Sequence, residues 1–476
     1  MLTPTQQQQN IINLAVQSNN IVIEARAGAS KTTTCEMIAN KVVKPSLYIA
    51  FNKDIASEAE GRFPSHVTCK TIHSLAYKEI IKFPKSKMGQ KLQANLDIND
   101  IREVNDVCGF TTFTDEEQEI EFLLNVRDTV ISFCQSADKE ITDRHIPITE
   151  EASTLRDIDV VKCAKKYWVT TTEPNTSYKI SHDVYLKLYQ LYEPCLAEYE
   201  VIYLDEAQDS NPVTLDIFNR QVHTQRIIVG DPYQAIYEWR GAINAFEHVP
   251  ASFKRAELTE SFRYTQAIAD LAKIVVSLSG EEIELIGRAT KGTITTKAIL
   301  CRKNTTLIYY MLSAVEKRQK VYTNVNLKEL WGKIYHVASL WYKQQPKWPN
   351  KELAMFKDYA TLAKAAGKQQ DLKALINITS MLTTGNGVNS NIAAIKNIIV
   401  EDAARADIVL STAHKSKGLE WDEVTLDEDM LTWDRDKEDL SSWIENNPQE
   451  INLLYVAVTR GKYKVNLPDN LQEILR

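Results

Sequence analysis

The sequence predicts an α/β protein built on doubly wound parallel sheets with helical stretches set into them, and three observations carry that prediction. Short apolar runs recur at residues 21–23, 47–51, 201–204, 227–229, 299–301, 408–410 and 424–426. Most lack the alternation of a strand with one wet face, which is how strands covered on both faces read. Loops follow these runs and helix-like stretches lie between them, completing βα units. Finally, 476 residues exceed one ordinary core, so two to four domains are expected.

Two stretches depart from the βα pattern. Residues from about 85 to 180 are helix-rich and charged; within 118–134, Ile120, Leu123, Leu124, Val126, Val130 and Ile131 recur at helical spacing. Residues from about 320 to 400 are also helix-like and carry Trp331, Trp341 and Trp348, for which core packing is the expectation. The expected organisation is a first core at 1–88 and 178–258 interrupted by a helical insertion at 89–177. A second core at 259–320 and 400–476 is interrupted by a small helical insertion at 321–399.

Composition narrows the classes without choosing one. Hydrophobic residues at 44% and charged residues at 25% allow large buried cores. No run approaches the ~20 apolar residues of a membrane span, and the opening MLTPTQQQQN lacks the layout of a secretion signal. A soluble, intracellular protein (cytoplasm, or nucleus if eukaryotic) is expected. Seven scattered cysteines without a CxxC pair argue against a disulfide framework, a zinc site or an iron–sulfur cluster. A net charge of −7 means that any nucleic-acid site must be a local groove of basic and aromatic groups.

Three constellations carry chemistry. A phosphate-binding loop needs small residues so that backbone N–H groups can approach phosphate oxygens, a lysine for the β- and γ-phosphates, and a hydroxyl for Mg²⁺. The run ARAGASKT at 25–32 supplies Ala27, Gly28, Ala29, Ser30, Lys31 and Thr32 directly after an apolar run, with Thr33 next. It places Ala25 at the loop's first glycine position and Ser30 at the glycine before the lysine. A β-carbon at Ser30 crowds the loop or alters its dihedrals, so a working loop and a degenerate, non-binding one are both open. The second constellation is YLDEAQD at 203–209. Asp205 at a strand end can hold Mg²⁺ with Thr32, and Glu206 can orient or deprotonate a water attacking a γ-phosphate. The third is VGDPYQAIYEWRGA at 229–242.

That third run resembles motif III of the UvrD/Rep/PcrA-type helicases of superfamily 1, and further motifs fall in the family's order across residues 2–460. The resemblance implies two RecA-like cores (P-loop NTPase), ATP with Mg²⁺ as cofactors, and an ATP-dependent DNA helicase. Residues 2–6 resemble the Q motif, implying that Gln6 reads the adenine edge. LTESFR at 258–263 resembles motif IV, with Phe262 in the place of an adenine-stacking aromatic and Arg263 in that of a γ-phosphate arginine. Residues 411–421 resemble motif V, with Glu420 near the ribose, and residues 454–460 motif VI, with Arg460 as a second arginine finger. Gln234 takes the place of a γ-phosphate sensor, and Thr33 stands where relatives often have an arginine that contributes to the nucleotide pocket. In AFNKDIA and TIHSLAY the chain is closest to the F-box DNA helicase subgroup.

The resemblance also implies a single-strand track, for which such motors use aromatic faces, hydroxyls, amides and basic groups. The candidates are Phe51, Asn52, Thr71, His73, Tyr237, Trp239, Arg240, Arg302, Thr412 and His414, with Phe51 and Trp239 stacking on bases. Partners are expected to be single-stranded DNA and single-strand/duplex junctions, with no membrane and a monomeric chain. The family's polarity is 3′→5′. About 105 residues separate Asn304 from Thr412, fewer than the family's large insertion needs, and 16 follow Arg460, so no fused nuclease is expected. No F-box segment is expected before the core. Three readings stand at this point: a duplex-separating helicase, a translocase that strips proteins from single strands, and a non-hydrolysing scaffold motivated by Ser30.

Overall fold

A computed structural model describes residues 3–82, 87–113, 115–147, 157–238, 241–347, 349–350 and 352–475. The chain divides into two compact units, Met1–Thr259 and Glu260–Arg476.

The first unit is built on six parallel strands: β1 (Ile21–Ala25), β2 (Ser46–Ala50), β3 (Val67–Thr71), β4 (Val201–Leu204), β5 (Gln225–Gly230) and β6 (Lys254–Leu258), in the order β3-β2-β4-β5-β1-β6. The inner strands are buried along nearly their whole length, as the lack of alternation predicts. Ile21, Ile23, Tyr48, Tyr203, Ile227 and Val229 form the centre of one apolar cluster. Helix α1 (Gln6–Val16) opens with a capping box in which Thr5 and Gln8 satisfy each other's backbone N–H groups. Helix α2 (Lys31–Lys41) follows β1, and α3 (Lys53–Glu60) starts at an Asn52 cap after β2. Between β3 and β4 the chain is helical, and the helices Ile98–Cys108, Glu116–Gln135 and Asp157–Thr172 pack on one another.

In the second unit a short pair, β7 (Glu260–Ser261) and β8 (Ile286–Gly287), precedes a five-stranded parallel sheet. Its strands are β9 (Lys297–Cys301), β10 (Val321–Thr323), β11 (Ile408–Thr412), β12 (Trp421–Leu426) and β13 (Gly461–Asn466), in the order β10-β11-β9-β12-β13. Helices including Leu327–Trp341, Gln370–Thr383 and Val388–Ile398 lie between β10 and β11. Trp331 is buried, whereas Trp341 is 37% exposed with its ring centroid 4.8 Å from that of Tyr359. Trp348 lies outside the described residues. No helix among the described residues is long and apolar enough to cross a membrane.

Because all strands of the first sheet are parallel, the residues that follow them emerge at one edge. The loop after β1, the carboxylates after β4 and Asp231 after β5 therefore share the carboxyl edge of that sheet, where open α/β sheets bind ligands.

Candidate active site

The loop after β1 turns through two left-handed residues, Gly28 at φ 76° and Ser30 at φ 59°, ψ 44°. A non-glycine residue there costs about 1–2 kcal/mol, which is the physical reason a glycine is usual before the lysine. Ser30 nevertheless holds that conformation. Its carbonyl accepts from Thr34 N at 2.9 Å and Thr34 Oγ1 at 3.0 Å, and Thr34 Oγ1 accepts from Gln8 Nε2 at 3.0 Å. Ser30→Gly should therefore relieve strain without changing the loop's course. After the extra freedom of glycine in the unfolded chain is subtracted, a gain of roughly 0.5–1 kcal/mol is expected. A small rise in Tm checks this; a fall would show that Ser30 is not strained.

Lys31 opens α2, and its Nζ lies 2.8 Å from Glu206 Oε1. Burial opposes the Lys31 charge, but Glu206, Asp205 and Asp231 outweigh it and hold the ammonium above its ordinary pKa. Glu206 itself is left-handed at φ 50°, a second strained non-glycine position at this edge. Gln208 links the two loops: its Nε2 donates to the Glu206 carboxylate and its Oε1 accepts from the Asp231 backbone N–H at 3.0 Å. Asp231 Oδ2 in turn accepts from Gln234 Nε2 at 2.7 Å. Gly230 is required by this packing, since a β-carbon there would lie 2.1 Å from Gln208 Oε1.

Asp205 is 4% exposed, with Oδ1 accepting from Glu206 N at 2.9 Å and Oδ2 accepting from the Tyr48 hydroxyl. Burial, then the neighbouring Glu206 charge, push its carboxyl above the usual range, against the pull of Lys31. Thr32, the second residue of α2, follows Lys31 at the same edge. No group of three or more His, Cys, Asp or Glu side chains able to hold a metal exists among the described residues. One carboxylate and one hydroxyl are the donor set that fits Mg²⁺, which is usually bound by one or two carboxylates together with substrate phosphates and waters. Arg26, 4% exposed, stacks over the Tyr233 ring at 5.1 Å, and its Nε and Nη1 have no hydrogen-bond partner among the described residues.

In the second unit Arg263 and Glu420 come together, with Arg263 Nε donating to Glu420 Oε2 at 2.9 Å; Lys462 Nζ lies 2.9 Å from the other carboxylate oxygen. Burial raises the Glu420 carboxyl, but Lys462 and Arg263 outweigh it and hold it below its ordinary range. Arg460 is 1% exposed, and its guanidinium donates to Val456 O at 2.8 Å, Thr459 Oγ1 at 3.1 Å and Leu419 O at 3.4 Å. A cation at this helix C-terminus meets the negative end of the helix dipole. Phe262 is 48% exposed.

Residues 4–250 match the UvrD/REP helicase N-terminal domain, and residues 407–467 the UvrD-like helicase C-terminal domain. The chain belongs to the UvrD/REP helicase family. It is 31% identical to F-box DNA helicase 1 of Gallus gallus, over 99% of this chain and 49% of that protein. Identity to F-box DNA helicase protein 1 of Schizosaccharomyces pombe is 29%, over 99% of this chain and 58% of that one. Similarity to the ATP-dependent DNA helicase PcrA of Leuconostoc citreum is 33% over 18% of this chain and 12% of the relative. The chain thus spans about half the length of the F-box relatives it matches. Family membership makes both parallel-sheet units RecA-like, with the loop after β1 as the P-loop.

Within this family's frame, the remaining expected residues divide by what holds them. Phe51 and Tyr237 are brought together, their rings stacked at 5.8 Å and 15°, with Phe51 41% exposed. Asn52 caps α3, its side chain accepting from Ile55 N at 2.9 Å, and Thr71 caps the helix Ile72–Ala76 through Ser74 at 3.1 Å. His73 lies edge-on to Tyr185 at 6.0 Å and 3.9 Å from Asp183. Thr412 is buried at the end of β11, and His414 is partly buried. Arg302 forms a two-point ion pair with Glu450 at 2.8 and 3.0 Å, so a phosphate contact by Arg302 would have to break that pair. Gln6 faces outward and bonds Asn10 at 2.9 Å; Gln8, not Gln6, reaches α2. Trp239 and Arg240 lie outside the described residues. Tyr48, Gln208, Asp231 and Lys462 were not singled out from sequence. The readable signal for Tyr48 is a hydroxyl in an otherwise apolar run.

Proposed function

We propose that this chain is the motor part of an ATP-dependent DNA helicase, translocating 3′→5′ on single-stranded DNA as a monomer. The observation that carries this is the single network at the carboxyl edge of the first sheet. There Lys31, Glu206, Gln208, Asp231 and Gln234 are linked beside the P-loop, by side-chain contacts except where Gln208 accepts from the Asp231 backbone N–H.

The chemistry follows from that placement. Lys31 and the loop N–H groups take the phosphates of ATP, which displaces Glu206 from Lys31 and frees its carboxylate to accept the proton of the attacking water. Thr32 and Asp205 would hold Mg²⁺, which would supply charge neutralisation for the phosphates. Gln234, bonded to Asp231, senses whether a γ-phosphate is present. Arg263 and Arg460 supply cationic charge to the transition state, and Phe262 and Glu420 take the base and ribose. A state that ATP favours and hydrolysis releases is what makes such a cycle directional. Phe51 and Tyr237 offer aromatic faces to bases, with Thr71, His73, Thr412 and His414 along the backbone path.

Strand displacement on duplexes carrying a 3′ or a 5′ single-stranded tail tests the reading. ATP-dependent separation of the 3′-tailed duplex alone is expected. Separation of the 5′-tailed one would overturn the polarity. ATP hydrolysis stimulated by single strands without separation of either would favour a protein-stripping translocase.

A further inference from the structure

We propose that Tyr48 is a positioning residue that sets the Asp205 carboxylate for the magnesium ion of bound nucleotide. This rests on reading the P-loop edge as a nucleotide site, and it adds a residue outside that site's motifs.

A carboxylate that binds a metal must present its oxygens in a fixed orientation. Here the Tyr48 hydroxyl donates to Asp205 Oδ2 and Glu206 N donates to Oδ1, so Asp205 is held on both oxygens. The sheet sets the geometry. Tyr48 on β2 is in register with Tyr203 on β4, and Asp205 lies two residues beyond Tyr203, on the same face. Both tyrosines are 0% exposed. They differ in one respect that makes an internal control: the Tyr203 hydroxyl has no hydrogen-bond partner among the described residues, whereas that of Tyr48 donates to the Asp205 carboxylate. Removing either hydroxyl empties the same volume of the same core, and only one of the two changes touches the metal.

The test is a Mg²⁺ titration of the binding of a fluorescent ATP analogue to wild type, Tyr48→Phe and Tyr203→Phe. Metal-free unfolding temperatures confirm that each variant is folded. Loss of a partner that orients a metal ligand lowers metal affinity roughly 10–100-fold. Tyr48→Phe should therefore need at least about tenfold more Mg²⁺ for half-maximal binding, while Tyr203→Phe titrates like wild type. Combining Tyr48→Phe with Asp205→Asn should shift the midpoint by less than the two changes summed, since Tyr48 acts through Asp205. Equal midpoints for wild type and Tyr48→Phe would overturn the proposal, as would equal shifts in both phenylalanine variants. Failure of the wild type to bind nucleotide would instead overturn the nucleotide-site reading, and the role of Tyr48 with it.

Discussion

Lys31→Ala is expected to lower ATP hydrolysis in the presence of single-stranded DNA by about 10²–10³-fold or more, the scale for removing one preorganised charge donor from a transition state. Three features of the edge make this residue hard to replace. The ammonium is largely shielded from water, it is 2.8 Å from Glu206, and it is surrounded by three carboxylates. Removing it leaves Glu206, Asp205 and Asp231 facing one another with no cation, so a polyphosphate would meet net repulsion. Nucleotide affinity should fall together with turnover. A Lys31→Ala protein that retains wild-type hydrolysis would place the chemistry elsewhere.

Glu206→Gln should separate the two functions. Hydrolysis is expected to fall about 10²–10⁴-fold, the usual contribution of a positioned general base, while ATP affinity stays equal or tightens. The second half follows from the ion pair: in the free protein Glu206 occupies Lys31, and glutamine does not compete with phosphate for it. The left-handed backbone at Glu206 is tolerated about as poorly by glutamine, so stability should change little. Equilibrium binding of a fluorescent nucleotide beside single-turnover hydrolysis checks both parts. Weakened binding would mean that Glu206 helps to hold the nucleotide rather than to activate water.

What the sequence disclosed of the fold follows burial. The seven apolar runs are strands β1, β2, β4, β5, β9, β11 and β12, which are the inner strands of the two large sheets. In the two large sheets the strands without such a run are β3, β6, β10 and β13, and these are their four edges. Their sequences, VTCKT, KRAEL, VYT and GKYKVN, are partly or largely exposed, so no continuous apolar signal is imposed on them. The long helix at 116–135 was legible because its apolar residues recur at helical spacing and are buried accordingly.

The site was legible only where a motif is contiguous. Lys31, Thr32, Asp205, Glu206 and Gln234 lie in runs whose residue types announce their chemistry. Tyr48 does not, because its meaning depends on strand register: it matters only once β2 lies beside β4. Lys462 and Gln8 were silent for the same reason, each acquiring its role through a partner far away in sequence or in the next element. Arg302 shows the converse. Its basic side chain places it among the single-strand candidates, and Glu450, 148 residues later, holds it in an ion pair that no local pattern reveals.

The most direct test of the central claim is ATP hydrolysis by the wild-type chain, measured with and without single-stranded DNA. The account predicts hydrolysis strongly stimulated by the single strand, because the strained but intact P-loop and the linked carboxylates form a working site. No hydrolysis in the wild type, with hydrolysis restored by Ser30→Gly, would contradict it. That outcome would mean a loop disabled at Ser30 and a chain that binds DNA without being driven by ATP.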